Sequence, residues 1–315
     1  MKLKYLILSS LLLLTSCSGS TKDLDSLKIL TPVGAPAVAF YNYAKNSNYS
    51  TNGKPVNIVA KMTKNSDVDI VVIDTVSGIQ AINSGSPYLL AATITFGNFY
   101  LASTGNDTNN TLDGEDTIVL FGQNATPDYL FHYLFSNQYD ANIEYVDNVQ
   151  DASKCLASGK NLITGNEVDY VFIAQPALYS VLNNTDAKTY GKASVYLNIQ
   201  EEYARKTNNL SLMQASVFIK NSLSKSIANE FLQSLESDIN EALANPSLVV
   251  EGMSQISDEE SSLLYGINKN VAKKVIEDNN SLGLGFVRSY SYKSDIDNYI
   301  SLFGMENTDE KIYFH

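Results

Sequence analysis

Short apolar runs alternate with amphipathic stretches over most of the chain. Residues 27–30, 56–60, 68–73, 89–95, 99–102, 117–121, 143–146, 168–173 and 215–220 are short, mostly β-branched or aromatic, and bounded by polar positions. That pattern predicts strands buried on both faces. Helical spacing lies between them. Residues 36–44 begin with Pro36, favoured in a first helical turn. Val76, Ile79 and Ile82 mark a helix over 75–82, and others are predicted at 127–136, 149–157 and 177–182. Repeated β–α alternation with continuous apolar strands argues for parallel sheets covered by helices.

The last third turns helical. Ile227, Phe231, Leu235 and Ile239 recur every four residues. Ser257-Asp258-Glu259-Glu260 is a capping-box pattern. Asn268 can cap a helix over 271–276, and 293–302 also reads as helical.

The first residues follow a different grammar. Met1-Lys2-Leu3-Lys4 is followed by an apolar run over 6–14, broken only by Ser9 and Ser10. Basic residues before a short apolar run predict a secretory signal. The run is too short for a bilayer core of about 30 Å, which needs roughly 20 apolar residues. It ends in Leu14-Thr15-Ser16-Cys17, which resembles the bacterial lipoprotein box, whose Cys is diacylated and becomes the new N-terminus. An ordinary cleaved signal with a chance Cys is the plainer alternative. Two acyl chains suffice for a stable anchor. The expectation is a signal over 1–17, Cys17 as lipidation site and a tether over 18–26.

Composition narrows the function. The 315 residues carry a formal charge of −12. Of the 22 basic residues, Lys2 and Lys4 leave with the signal, so 20 face 34 acidic ones, a mature charge of −14. No nucleic-acid partner is expected, because phosphate backbones need clustered Lys and Arg. Two His and two Cys are too few for a zinc or iron–sulfur centre of the usual ligands. Cys155, the only thiol once Cys17 is acylated, lies on an apolar helix face and reads as a small core residue. His132 reads as a helix-surface or packing histidine. No G-x-x-x-x-G-K-[ST] loop is present, and Gly283-Leu284-Gly285 lacks the strand–helix context of a dinucleotide site.

Four loops at predicted strand-to-helix junctions are more informative: Thr31-Pro32-Val33-Gly34-Ala35-Pro36, Asp74-Thr75-Val76-Ser77, Gln123-Asn124-Ala125-Thr126-Pro127 and Gln175-Pro176. Open parallel sheets bind ligands outside the C-terminal strand ends, where backbone N–H groups are free. Each loop also has a structural reading: Thr75 and Thr126 as helix caps, Gly34 and Pro36 as turn and first-turn residues.

The chain resembles the solute-binding lipoproteins of ABC importers in the nitrate/sulfonate/thiamine-precursor (NitT/TauT-like) group. The matching stretches are Val68-Asp69-Ile70-Val71-Val72-Ile73, Gly122-Gln123-Asn124-Ala125-Thr126-Pro127-Asp128-Tyr129, Leu156-Ala157-Ser158-Gly159-Lys160, Val168-Asp169-Tyr170-Val171 with Gln175-Pro176, Gly266-Ile267-Asn268-Lys269-Asn270-Val271-Ala272, and the tail over 309–315. Three departures set it apart. Gln175 stands where an acidic residue is common, Asn124 replaces a glycine, and 161–166 reads as an insertion in a pocket loop.

The resemblance implies an α/β type II periplasmic-binding fold, two α/β lobes around a ligand cleft. Lobe 1 would hold 27–99 and 214–315, lobe 2 100–213, with hinges at 95–100 and 212–216. The function implied is non-enzymatic: capture of a small solute and delivery to an ABC permease and its ATPase by a lipid-anchored monomer on the extracytoplasmic face of the cell membrane. Cofactor, metal and catalytic residues are not expected. An enzyme on the same fold acting on a pyrimidine-like substrate is the alternative. Solute contacts would come from Thr31, Gly34, Asp74, Thr75 and Phe96 on one side and Gln123, Asn124, Thr126 and Gln175 on the other. Phe99 and Tyr41 lie near these loops in sequence. None of the loops carries Arg or Lys, so the solute expected is neutral or heteroaromatic rather than a sulfonate, which would favour an Arg clamp.

Overall fold

The computed structural model describes residues 23–107, 109, 111–123, 125–135, 140–183 and 193–315. The predicted signal, Cys17 and Asn124 lie outside the described residues. The strands are β1 (Ile29–Pro32), β2 (Tyr49–Asn52), β3 (Ile70–Asp74), β4 (Tyr88–Phe96), β5 (Phe99–Ser103), β6 (Thr117–Phe121), β7 (Asn142–Val146), β8 (Tyr170–Ala174), β9 (Ser194–Asn198), β10 (Met213–Lys220) and β11 (Leu284–Arg288). They form two sheets. The first has the order β11-β4-β10-β3-β1-β2 and the second β7-β6-β8-β5-β9.

Both sheets are mixed rather than parallel. β1 pairs in parallel with β2 and β3, and β6 with β7 and β8. β10 runs antiparallel between β3 and β4, and β5 antiparallel between β8 and β9. The reason is local. Only Gly97 and Asn98 separate β4 from β5, too few for a crossover helix, so the chain steps from one sheet into the other.

The helices are α1 (Ala35–Val38), α2 (Pro55–Val59), α3 (Thr75–Asn83), α4 (Thr126–Phe135), α5 (Val149–Ser158), α6 (Ala177–Leu182), α7 (Ile199–Lys206), α8 (Lys225–Ala244), α9 (Ser247–Met253), α10 (Asp258–Tyr265), α11 (Lys269–Glu277) and α12 (Lys293–Ser301). The stretch expected as a strand at 56–60 is α2. Pro55 opens it at a favoured first position, and only Ile58 of the helix is buried while Val56 is exposed. The expected 36–44 helix breaks into α1 and a short 3₁₀ turn. The 257–260 capping box forms in full, and Asn268 caps α11.

Three apolar clusters fill the layers. One packs α8 to α11 against one face of the first sheet. One lies between β8 and helices α5 and α6 and holds the fully buried Cys155, whose thiol pKa is raised by that burial. The third runs from α2 and α3 under the first sheet through α12 to α4, α7 and the second sheet. It is continuous between the two lobes, so they share a core as well as two chain crossings.

Candidate functional site

The parallel strands of each sheet end at one edge, and the two edges meet at Gly97 and Asn98. Across the first sheet Asp74, Ala215 and Thr95 lie side by side, and Met213 sits opposite Phe96. Across the second, Ala174 at the end of β8 faces Phe99 at the start of β5. The helix N-termini of α3, α4 and α6 follow directly from these strand ends.

Asn98 knots the crossing. It is 3% exposed. Its Nδ2 donates to the carbonyls of Leu282 (3.2 Å) and Gln175 (3.5 Å), its Oδ1 accepts from Gln214 Nε2 (2.5 Å), and its own carbonyl accepts from the Gln175 N–H (2.9 Å). The second crossing is tied in beside it. Gly97 N–H donates to the Leu212 carbonyl (2.8 Å), and Leu212 N–H donates to Gln200 Oε1 (2.9 Å). Gly283 completes the junction: its carbonyl accepts from Phe96 N–H at 2.7 Å. A Cβ there would lie 1.7 Å from the Phe96 carbonyl oxygen at a φ of +74°, so only glycine fits.

On the first edge, Thr31 is fully buried and its hydroxyl pairs with Tyr49 OH at 3.1 Å. It faces the core rather than open space. Gly34, at φ +99°, donates its N–H to the Tyr265 carbonyl (2.8 Å) and precedes α1. Asp74, not Thr75, caps α3: its Oδ1 accepts from Ser77 N–H at 2.9 Å. Burial raises the Asp74 carboxyl pKa above its ordinary value, partly offset by the Ser77 hydrogen bonds. Thr75 is the first residue of α3 and joins a buried hydroxyl chain, Thr75 to Ser216 (2.8 Å) to Thr93 (2.9 Å). Phe96 is half-buried, its ring over Gly285.

On the second edge, Gln123 is exposed and Thr126 is the half-buried first residue of α4. Gln175 is 8% exposed, and its side chain is divided between its own helix and Ser281 of the other lobe. Its Oε1 accepts from Tyr179 N–H at 3.0 Å and its Nε2 reaches Ser281 Oγ at 3.5 Å.

The residue that brings the edges together is one that sequence reasoning missed. Tyr299 of α12 is 1% exposed. Its hydroxyl interacts with the Thr126 side chain of one edge and lies within the field of Asp74 of the other. Burial, above all, raises the Tyr299 pKa, with Asp74 and Tyr203 adding to it. Asn98, Gln214 and Tyr299 carry no motif; each is a polar or aromatic residue with partners more than 70 positions away.

Other expected neighbours are placed elsewhere. Tyr41 is buried in the α8–α11 layer, its hydroxyl donating to the Asp238 carbonyl at 3.2 Å. Phe99 packs on Phe121 and Phe172 in the core. The 161–166 insertion lies before β8, so it sits at the end of the second sheet away from the helix N-termini, tied to Glu144 by Asn161 and Thr164. His132 pairs with Asp128 at 3.2 Å on α4. An open groove of about 480 Å³ flanks α2 and α3, lined by Met62, Ser77, Gln80 and Ser84 among others; it includes none of the nine predicted contacts.

The arrangement offers hydrogen-bond donors and acceptors, aromatic surface and one carboxylate. The four loops bring no Arg or Lys. Among the described residues no three His, Cys, Asp or Glu side chains are placed to hold a metal.

No protein-family model matches the chain, and no curated protein does. Solved structures do. An ABC transporter structure from Parabacteroides distasonis is 16% identical with a TM-score of 0.71, over 92% of this chain and 98% of that one. The periplasmic aliphatic sulphonate binding protein SsuA from Escherichia coli is 11% identical with a TM-score of 0.62, over 92% and 91%. A ligand-binding component of an ABC-type import system from Staphylococcus aureus, solved with zinc bound, is 9% identical with a TM-score of 0.60, over 92% and 96%. Two mixed sheets flanked by helices, matched over almost the whole of these chains, give this protein the type II periplasmic-binding fold.

Proposed function

We propose that this chain is the extracytoplasmic solute-binding component of an ABC importer, non-enzymatic, capturing a small solute between two lobes and passing it to a membrane permease and its ATPase. The observation that carries the reading is the meeting of the two strand-end edges at Asn98, which hydrogen-bonds Gln214 and Leu282 on one side and the Gln175 backbone on the other. The fold shared with ligand-binding and sulphonate-binding proteins of ABC systems supports it. The lobes are 27–99 with 214–315, and 100–213, and they pivot about 95–100 and 212–216. Solute contacts come from Gly34, Asp74, Phe96, Thr126 and Gln175, with Thr31, Thr75, Gln123 and Asn124 as supporting members of the same loops.

The solute is neutral or heteroaromatic. A sulfonate would need an Arg-type clamp, and Asp74 would repel it. The protein acts as a monomer, held to the membrane by acylated Cys17; the Leu14-Thr15-Ser16-Cys17 box is the support for that anchor. Native mass spectrometry of the full chain after exposure to a metabolite extract tests the function. One neutral or heterocyclic compound retained at unit stoichiometry supports it. Selective retention of a sulfonate overturns the solute class, and turnover of a retained compound overturns the non-enzymatic reading. Acyl labelling of wild type and Cys17→Ala tests the anchor: label on both, or on neither, removes it.

A further inference from the structure

The last helix belongs to one lobe by its fastening and to both by its contacts. The fastening is polar and local. Thr308 donates from N–H (2.8 Å) and hydroxyl (2.6 Å) to Asp297 Oδ1, and Lys293 pairs with Asp297 at 2.6 Å. The Thr308 hydroxyl meets Tyr313 OH at 2.7 Å. Tyr313 bridges to Leu90 of β4, and Phe314 N–H donates to the Leu90 carbonyl at 2.9 Å. α12 is thereby tied to the first sheet.

Its other contacts reach elements of the second lobe. The Tyr299 ring lies 6.2 Å from that of Tyr203 on α7, and the Phe303 ring just beyond α12 lies 5.4 Å from that of Tyr129 on α4. Tyr299 and Phe303 stack edge-on at 5.2 Å, so they present one aromatic surface. Tyr203 is fully buried, yet its hydroxyl has no hydrogen-bond partner among the described residues. The contact is therefore ring against ring. Such contacts are short-ranged and lose attraction once the surfaces separate.

We infer that α12 is an interlobe clasp: fixed to the first lobe by its tail, it holds the second through Tyr299 and Phe303 and so sets how far the cleft opens. Its meaning for solute capture rests on the function proposed above. Loosening the clasp favours the open cleft and weakens retention.

The test needs no solute. Nitroxide labels are placed at Lys61→Cys in the first lobe and Lys154→Cys in the second, both exposed positions, on the full chain carrying Cys17→Ala. Spin–spin distances are then compared between this background and Tyr299→Ala/Phe303→Ala. The clasp predicts a longer and broader distribution in the double variant, and a distribution close to the background for Tyr299→Phe, which keeps the ring. A folded double variant with an unchanged distribution overturns it. If the double variant does not fold, Tyr129→Ala/Phe303→Ala decides, because Tyr129 is 45% exposed and its loss opens little core. A shifted distribution in a protein that retains no solute would sink the proposed function and leave the clasp standing. Solute binding with unchanged distances would do the reverse.

Discussion

The two lobes meet in two chemically different ways. At the chain crossings the contact is made of amide and backbone hydrogen bonds around Asn98, closed by glycines that admit no side chain. At α12 it is made of rings, with Tyr203 OH left unpaired among the described residues. Hydrogen bonds are directional and costly to leave unmade when buried. They suit a pivot, where the chain bends but the pairing persists. Ring contacts tolerate sliding and break without stranding polar groups, which suits a surface that opens and shuts. That difference is what the proposed pivot and the proposed clasp require: a crossing that bends with its pairing intact and, at α12, a face that can part.

Substitutions can break or sharpen that contrast. The largest expected effect is at the rings. Tyr299→Ala empties a fully buried site and should lower unfolding free energy by roughly 3–5 kcal/mol in urea titration. A loss under about 1 kcal/mol, less than a large buried side chain should cost, would mean that α12 does not pack as described. Asn98→Ala strands Gln214 Nε2 and the Leu282 and Gln175 carbonyls, and should cost roughly 1–3 kcal/mol. A near-neutral result would show that water or rearrangement replaces the knot. Tyr203→Phe removes a hydroxyl that has no partner among the described residues, so it should be neutral or stabilising by up to about 1 kcal/mol. Clear destabilisation would expose a partner for that hydroxyl and make the clasp more polar than its rings imply.

The smallest effect concerns Asp74. Burial raises its carboxyl pKa, so its contribution to stability is full below the unfolded-state value and falls as pH rises through the folded-state value. Asp74→Asn keeps an acceptor for Ser77 N–H, since Asn caps helices as well as Asp, and removes the cost of a buried charge. Its melting temperature at pH 7 should match or exceed wild type, and the difference should shrink below the ordinary carboxylate range. A variant less stable than wild type at pH 7 would contradict this.

Much of the fold could be read from sequence because buried strands announce themselves. β3, β6 and β8 are almost continuous apolar runs, β10 holds the apolar core Val217-Phe218-Ile219, and each is an inner strand. β2 is a short polar edge strand, Tyr-Ser-Thr-Asn, with no apolar run to mark it, and the edge strands β9 and β11 hold only five residues each, most of them partly exposed. α2 was misread because β-branched residues in a five-residue helix look like a strand until Pro55 and the exposure of Val56 are weighed. The strand-end loops were legible as a set, since turn and cap residues recur there. What their side chains do was not. Thr31 turns to Tyr49, and Gln175 to both Tyr179 and Ser281, and no local pattern distinguishes a residue that faces a cleft from one held by its neighbours. Tyr299 was invisible for the same reason: its spacing marks a buried helix face and cannot say that the face lies between two lobes.

Hydrogen exchange of the full chain, with and without a saturating solute found by native mass spectrometry, tests the central claim most directly. Capture between lobes predicts slowed exchange at both edges together, around Gly34 and 74–77 on one side and around Thr126 and 175–179 on the other. Protection confined to one edge, or appearing only along the α2–α3 groove, would contradict it.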